Sequence, residues 1–115
     1  MINKDFFKKI RILDGGMGQE LLARGMKPNS TLWSANAILD ANYHQLVLDT
    51  HVDFIKAGAE VIVTTTFATR QKRLKENSLL DKFEYLNQKA GEIAQAAKEI
   101  FPNTYIAGGI PPQNL

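Results

Sequence analysis

The sequence predicts an α/β domain built on a parallel sheet, and three observations carry that prediction. Residues 59–67 ("AEVIVTTTF") form a nearly continuous apolar and β-branched run, the pattern of a parallel strand covered on both faces. Two long segments repeat apolar residues at three- and four-residue spacing, the pattern of amphipathic helices. Strand-like and helix-like stretches alternate from residue 11 to residue 110, which favours parallel strands joined by right-handed helical crossovers.

The first strand is expected at "RILD" (11–14), followed by a short helix from Met17 to Arg24 that Gly25 ends. "MKPNS" (26–30) is a loop with Pro28 and Asn29 as turn formers. "TLWSANAILD" (31–40) has room for a helical turn with Ser34 as its cap. From Asn42, the expected N-cap, Tyr43, Leu46, Val47, Thr50, Phe54 and Ile55 share one helical face, and Gly58 follows the last turn. After the 59–67 strand, Leu79 to Phe101 reads as the second long helix. Its stripe is Leu79, Phe83, Leu86, Ala90, Ile93, Ala94, Ala97 and Ile100. Gly91 inside it costs about 1 kcal/mol relative to Ala. Pro102 and Asn103 end that helix, and "TYIAGGI" (104–110) is the third strand.

Composition narrows the function classes. Hydrophobic residues make up 44% and charged residues 23%, ordinary for a water-soluble globular chain. A formal charge of +2 gives no reason to expect a nucleic-acid or membrane partner. The local basic groups, Lys8, Lys9 and Arg11 and the run "RQKRLKE" (70–76), read as solvated surface. With no cysteine, neither disulfides nor thiolate metal ligands can form within these residues. No apolar run is long enough to cross a bilayer and no signal-peptide pattern opens the chain, so the expected location is the cytoplasm. Three parallel strands leave two open edges, so the segment is expected to be the opening portion of a larger α/β domain.

In parallel α/β proteins, ligands collect at the C-terminal ends of strands. Those ends are Asp14-Gly15-Gly16, Thr64 to Phe67, and Gly108 to Pro111. Asp14 suits a substrate ammonium group, and Gly15 and Gly16 let backbone N–H groups approach a carboxylate. Taken alone, that stretch favours a capped turn over a site. Thr64 and Thr66 share one face of an extended chain and could line a pocket, although such threonines are commonly strand formers only. Phe67 and Trp33, the sole tryptophan, suit either core or pocket wall. "GGMG" is no dinucleotide fingerprint. Ser34 lacks triad partners, and His44 and His51, seven residues apart, lack metal-ligand spacing. No self-sufficient catalytic set is present.

Taken in order, "ILDGGMGQELLARG" (12–25), "LWSA" (32–35), "H…F…AGAEVIVTTTF" (51–67) and "IAGGIPP" (106–112) resemble the N-terminal region of the homocysteine S-methyltransferase family. The resemblance implies the first part of a (β/α)8 barrel, with about three parallel strands and intervening helices. It implies methyl transfer to the sulfur of homocysteine, giving methionine, with zinc holding that sulfur as the reactive thiolate. The methyl donors of the family include S-methylmethionine, S-adenosylmethionine, betaine and methylfolate. Carried over by position, Asp14 meets the substrate amino group and Gly15 and Gly16 its carboxylate. Trp33, Thr64, Thr66 and Phe67 form pocket walls.

Two features depart from the pattern. The family's zinc-binding cysteines come from later strands and this chain has none. The third strand also ends "GGIPP" where many members carry Gly-Ser-hydrophobic-Gly-Pro. The chain alone is therefore expected to bind homocysteine poorly and not to turn it over, as a truncated or split form of the enzyme. The competing expectations are a non-catalytic fragment or assembly module that associates through its open strand edges, and an unrelated barrel enzyme sharing the Asp-Gly-Gly corner.

Overall fold

The computed structural model describes residues 2–112. Five helices, α1 (Met17–Ala23), α2 (Ala35–Leu39), α3 (His44–Lys56), α4 (Gln71–Glu76) and α5 (Phe83–Ile100), surround two strands, β1 (Val61–Val63) and β2 (Tyr105–Ala107). The strands pair in parallel, with Val61 opposite Tyr105, Ile62 opposite Ile106 and Val63 opposite Ala107. Val61 and Ile62 point to opposite faces, yet both are buried, so β1 is covered on both sides as its composition predicts.

The expected first strand shrinks to one parallel bridge between Leu13 and Val61. The chain still runs alongside β1: the amides of Glu60 and Val61 donate to the Ile12 carbonyl, and Asp14 N–H donates to Val61 O at 3.0 Å. Ile12 N–H turns instead to the Glu60 carboxylate, at 2.9 Å. Ile12 and Leu13 are 57% and 58% exposed, so nothing packs on the outer side to extend the ladder. Strand β1 is also shorter than the 59–67 run. Beyond Val63, Thr66 N–H folds back onto Thr64 O at 2.8 Å, and the threonine hydroxyls bond locally.

The two C-terminal glycines work as the sequence predicts. Gly25 has φ +106° and Gly58 φ +118°. Around them, Met26 N–H reaches Leu21 O and Ala59 N–H reaches Phe54 O, closing the helix ends with six-to-one bonds. The N-terminal caps differ. Ser34 precedes α2 but makes no side-chain cap bond. The preceding turn is held by Asn29, whose Oδ1 accepts from Leu32 N–H at 2.8 Å and Thr31 N–H at 3.1 Å. Asn42 does not cap α3 either. It lies in a 3-10 turn over Ala41–Tyr43 that Asp40 caps, through Asn42 N–H to Oδ1 at 3.0 Å.

Helix α5 begins at Phe83 after a 3-10 turn, later than expected, and buries Leu86, Ala90, Ile93, Ala94 and Ala97. Ile100, placed on the same stripe, is 56% exposed because the helix ends there beyond the packed core. The principal core joins α1, α2, α3 and α5 through Leu21, Ile38, Val47, Leu86 and Ala90, while Ile62, Ala94 and Ala97 form a second cluster against the sheet. The basic run 70–76 contains α4, and it is not simply a solvated face: Leu74 is fully buried and Arg70 is 4% exposed. Arg11 likewise lies over the Phe6 ring at 4.2 Å and donates through Nε to Phe6 O. The basic spacing is the same for a solvated run and a packed one, because the rings and carbonyls that take up the two guanidiniums, those of Phe67 and Phe6, lie outside the charge pattern.

Candidate functional site

The C-terminal ends of the three parallel segments lie side by side, as sequence reasoning expects. Asp14 follows the Leu13 bridge, and its Oδ2 accepts the Val63 N–H at 3.0 Å, tying the first segment to the end of β1. Thr64 N–H continues the ladder to Ala107 O at 2.9 Å. Thr64 Oγ1 and Thr66 Oγ1 are 2.9 Å apart, Thr66 Oγ1 donates to Gly109 O at 2.8 Å, and Gly109 N–H donates to Thr64 Oγ1 at 3.2 Å. A Cβ on Gly109 would stand 3.2 Å from both Thr66 Oγ1 and a Val63 methyl, so a larger residue would push these side chains aside by a few tenths of an ångström.

A cavity of about 650 Å³ opens at this end, within the range of small-molecule sites. Asp14, Gly15, Gly16, Trp33, Thr64 and Phe67 all line it. Thr66 lies instead on a neighbouring cavity of about 210 Å³, with Thr69, Asn87 and Gly109. The first segment, β1 and the loop before α2 therefore supply one wall each. Asp14 is half-buried, and loss of hydration pushes its carboxyl pKa above the ordinary carboxylate value, against the opposing pull of the Val63 N–H.

The two glycines of the corner differ in what they do. A Cβ at Gly15 would meet the Phe54 ring at 2.9 Å, so that position is glycine because α3 packs against it. A Cβ at Gly16 would meet nothing within 4 Å, and Gly16 stands at the N-cap of α1 with its space open to the cavity.

The aromatic wall is built in detail. Trp33 and Phe67 stack with centroids 5.9 Å apart and planes 21° from parallel. Each is 43% exposed, unlike the core side chains. Trp33 adopts φ +50°, a left-handed conformation that costs a bulky residue about 1–3 kcal/mol. Its indole N–H donates to Ser30 O at 3.0 Å, its backbone N–H to Asn29 O.

Sequence reasoning missed Thr65, whose neighbours drew attention through their shared face. Thr65 lines the main cavity and is 5% exposed, and its hydroxyl has no hydrogen-bond partner among the described residues. It also missed Met17 and Leu22 on α1, and Met26 just after it, as apolar lining.

The donor set does not fit the zinc that the resemblance implies. The chain has no cysteine, and no group of three or more His, Cys, Asp or Glu converges among the described residues. His51 is buried in the packing of α3 with both ring nitrogens unpartnered, and His44 Nε2 bonds Ile38 O at 2.7 Å. No helix among the described residues is long and apolar enough to cross a membrane.

Comparison with known proteins places the fold and the family. The family model described as Homocysteine S-methyltransferase matches residues 11–115. Homocysteine S-methyltransferase 2 of Zea mays is 35% identical over 104 residues, covering 90% of this chain and 30% of that protein. Homocysteine S-methyltransferase 2 of Saccharomyces cerevisiae is 31% identical over 114 residues, covering 91% of this chain and 35% of its own length. The crystal structure of the homocysteine methyltransferase MmuM from Escherichia coli, in its metallated form, superposes with a TM-score of 0.79 at 28% identity. That match covers 93% of this chain and 40% of MmuM. The chain thus spans about a third of the length of these relatives, and by this match it belongs to the homocysteine S-methyltransferase family.

Proposed function

We propose that this chain forms the amino-acid-binding part of a homocysteine-binding (β/α)8 barrel, whose complete form transfers a methyl group from a small-molecule donor to the homocysteine sulfur. One observation carries the reading. A single half-buried carboxylate, Asp14, stands at the strand ends beside a cavity walled by Trp33 and Phe67. In that reading Asp14 accepts hydrogen bonds from the substrate ammonium group, and the Gly15-Gly16 backbone faces its carboxylate. Thr64 and Phe67 bound the pocket. Thr66, from the adjoining cavity, acts by bracing Thr64 and Gly109. The zinc chemistry of the family finds no cysteine in this chain and no ligand cluster among the described residues, so the chain's own part is to bind and orient the substrate rather than to activate its sulfur.

Fluorescence of Trp33, the sole tryptophan, tests the reading directly. At the high concentrations that the chain's poor expected affinity requires, homocysteine is expected to change it saturably, and α-aminobutyrate, which keeps the ammonium and carboxylate but lacks the thiol, is expected to compete. γ-Mercaptobutyrate, which lacks the ammonium, is not. Equal competition by γ-mercaptobutyrate would remove Asp14 from its role.

A second reading, association through open strand edges, is favoured by the exposure of Ile12 and Leu13 beside the bridge to β1. Concentration-dependent size-exclusion chromatography tests it. Self-association that Leu13→Lys abolishes supports it, and a monomer at all concentrations refutes it.

A further inference from the structure

The run "RQKRLKE" carries one residue, Arg73, whose guanidinium contacts lead to the aromatic wall and the loop before it. The Arg73 guanidinium carbon lies 4.4 Å from the centroid of the Trp33 ring, and its Nη1 donates to Thr31 O at 3.2 Å. No carboxylate among the described residues pairs with Arg73, and its Nε, although buried, has no hydrogen-bond partner. Its partners are therefore the Trp33 ring and a carbonyl two residues before it. The Arg70 guanidinium carbon in turn lies 5.7 Å from the centroid of Phe67, the other ring of the stacked pair. Arg73, Trp33, Phe67 and Arg70 thus form one connected series at the cavity edge.

We propose that Arg73 is a positioning residue for Trp33, holding the indole against Phe67 and so fixing the shape of the substrate cavity. A planar guanidinium suits this task because it stacks on an aromatic face while its edge still donates a hydrogen bond. Trp33 needs such support: its backbone is left-handed, and nearly half of its surface is free of protein contact. Helix α4 is short, but it is anchored by Leu74 in the core and closed by Leu79 N–H on Leu74 O, so it presents Arg73 from a fixed base. The significance for substrate binding rests on the homocysteine reading above. The positioning itself does not.

The test uses the chain as it stands, with acrylamide quenching of Trp33 as the readout and thermal unfolding followed by circular dichroism as the folding control. Arg73→Gln keeps an amide donor and helix propensity while removing the cation. It is expected to raise the quenching constant, because losing a partly exposed cation–π contact raises the population of the displaced ring about two- to fivefold relative to the stacked one. Arg73→Lys restores the charge without the planar fork and is expected to fall between Gln and wild type. Lys72→Ala, on the exposed side of α4, is expected to leave quenching unchanged. Unchanged quenching in Arg73→Gln, or an equal rise in Lys72→Ala, overturns the proposal. If homocysteine fails to protect Trp33 in the wild type, the substrate reading falls, while the comparison among variants still decides the role of Arg73.

Discussion

Replacing Asp14 by Asn separates its structural task from its binding task. One carboxylate oxygen accepts the Val63 N–H at 3.0 Å, and the Asn amide oxygen can take over that bond. What the substitution removes is the negative charge facing the substrate ammonium group. A hydrogen bond to a charged partner contributes about 1.5–3 kcal/mol, and Asp14 is sheltered enough to escape the weak regime of fully exposed ion pairs. Converted to affinity, that is a loss of roughly 10- to 150-fold for homocysteine. Isothermal titration of wild type, Asp14→Asn and Asp14→Ala with homocysteine under reducing conditions measures it.

Folding should respond in the opposite sense. Because burial raises the Asp14 pKa in the folded protein, its favourable contribution is present below the unfolded value of 3.8 and is lost as pH rises through the folded value. At neutral pH the ionised carboxyl therefore carries a desolvation cost. Asp14→Asn should unfold at the same temperature as wild type or higher. Asp14→Ala, which also strands the Val63 amide, should lose about 1–2 kcal/mol. Wild-type homocysteine binding should weaken on acidification before the ordinary carboxylate range is reached, and the Asn variant should show no such dependence. Wild-type affinity in Asp14→Asn, with folding intact, would refute the assignment of Asp14 to the substrate ammonium.

Three other perturbations follow from the same geometry. Burial without hydrogen-bond partners pushes the His51 pKa down to about 4, so its stabilising neutral form is retained above the unfolded value of 6.5 and lost as pH falls toward 4. His51→Leu should remove up to about 3 kcal/mol of acid sensitivity between those limits, checked by urea unfolding across pH. Thr65→Val keeps the side-chain shape and deletes a buried hydroxyl with no partner among the described residues. Its unfolding free energy should stay within about 1 kcal/mol of wild type or rise, and a larger loss would reveal a hydrogen bond to that hydroxyl. Gly15→Ala should cost about 1–3 kcal/mol through its clash with Phe54, and Phe54→Leu should recover part of that in the double variant.

The aromatic side chains at the cavity show why the site was only partly legible in the sequence. Phe67 could be placed at a strand end and Trp33 in a loop, but their stacking depends on a left-handed residue before α2 meeting a loop 34 positions later. No spacing rule encodes that meeting. The basic run misled for a related reason. Charge counts identify long cationic side chains, not the ring or carbonyl on which each one lies. Thr65 was overlooked because alternation holds only within a strand, and β1 ends at Val63, before the threonines begin.

Local backbone requirements and periodic burial were settled by the sequence itself. Gly25 and Gly58 close helices at the positions where only a glycine turns left without strain. The apolar stripes fix α3 and the buried face of α5, and the β-branched run fixes β1. These features depend on neighbours within a few residues, which is why they can be read in order along the chain. Tertiary structure decided the rest. It reduced the first strand to a bridge for want of an outer partner, and it joined Asp14 to the Val63 amide across 49 residues. It also spent the hydroxyls of Thr64 and Thr66 on Gly109 and set Arg73 on Trp33. Each is a contact between segments far apart in sequence, whose geometry exists only after the helices pack.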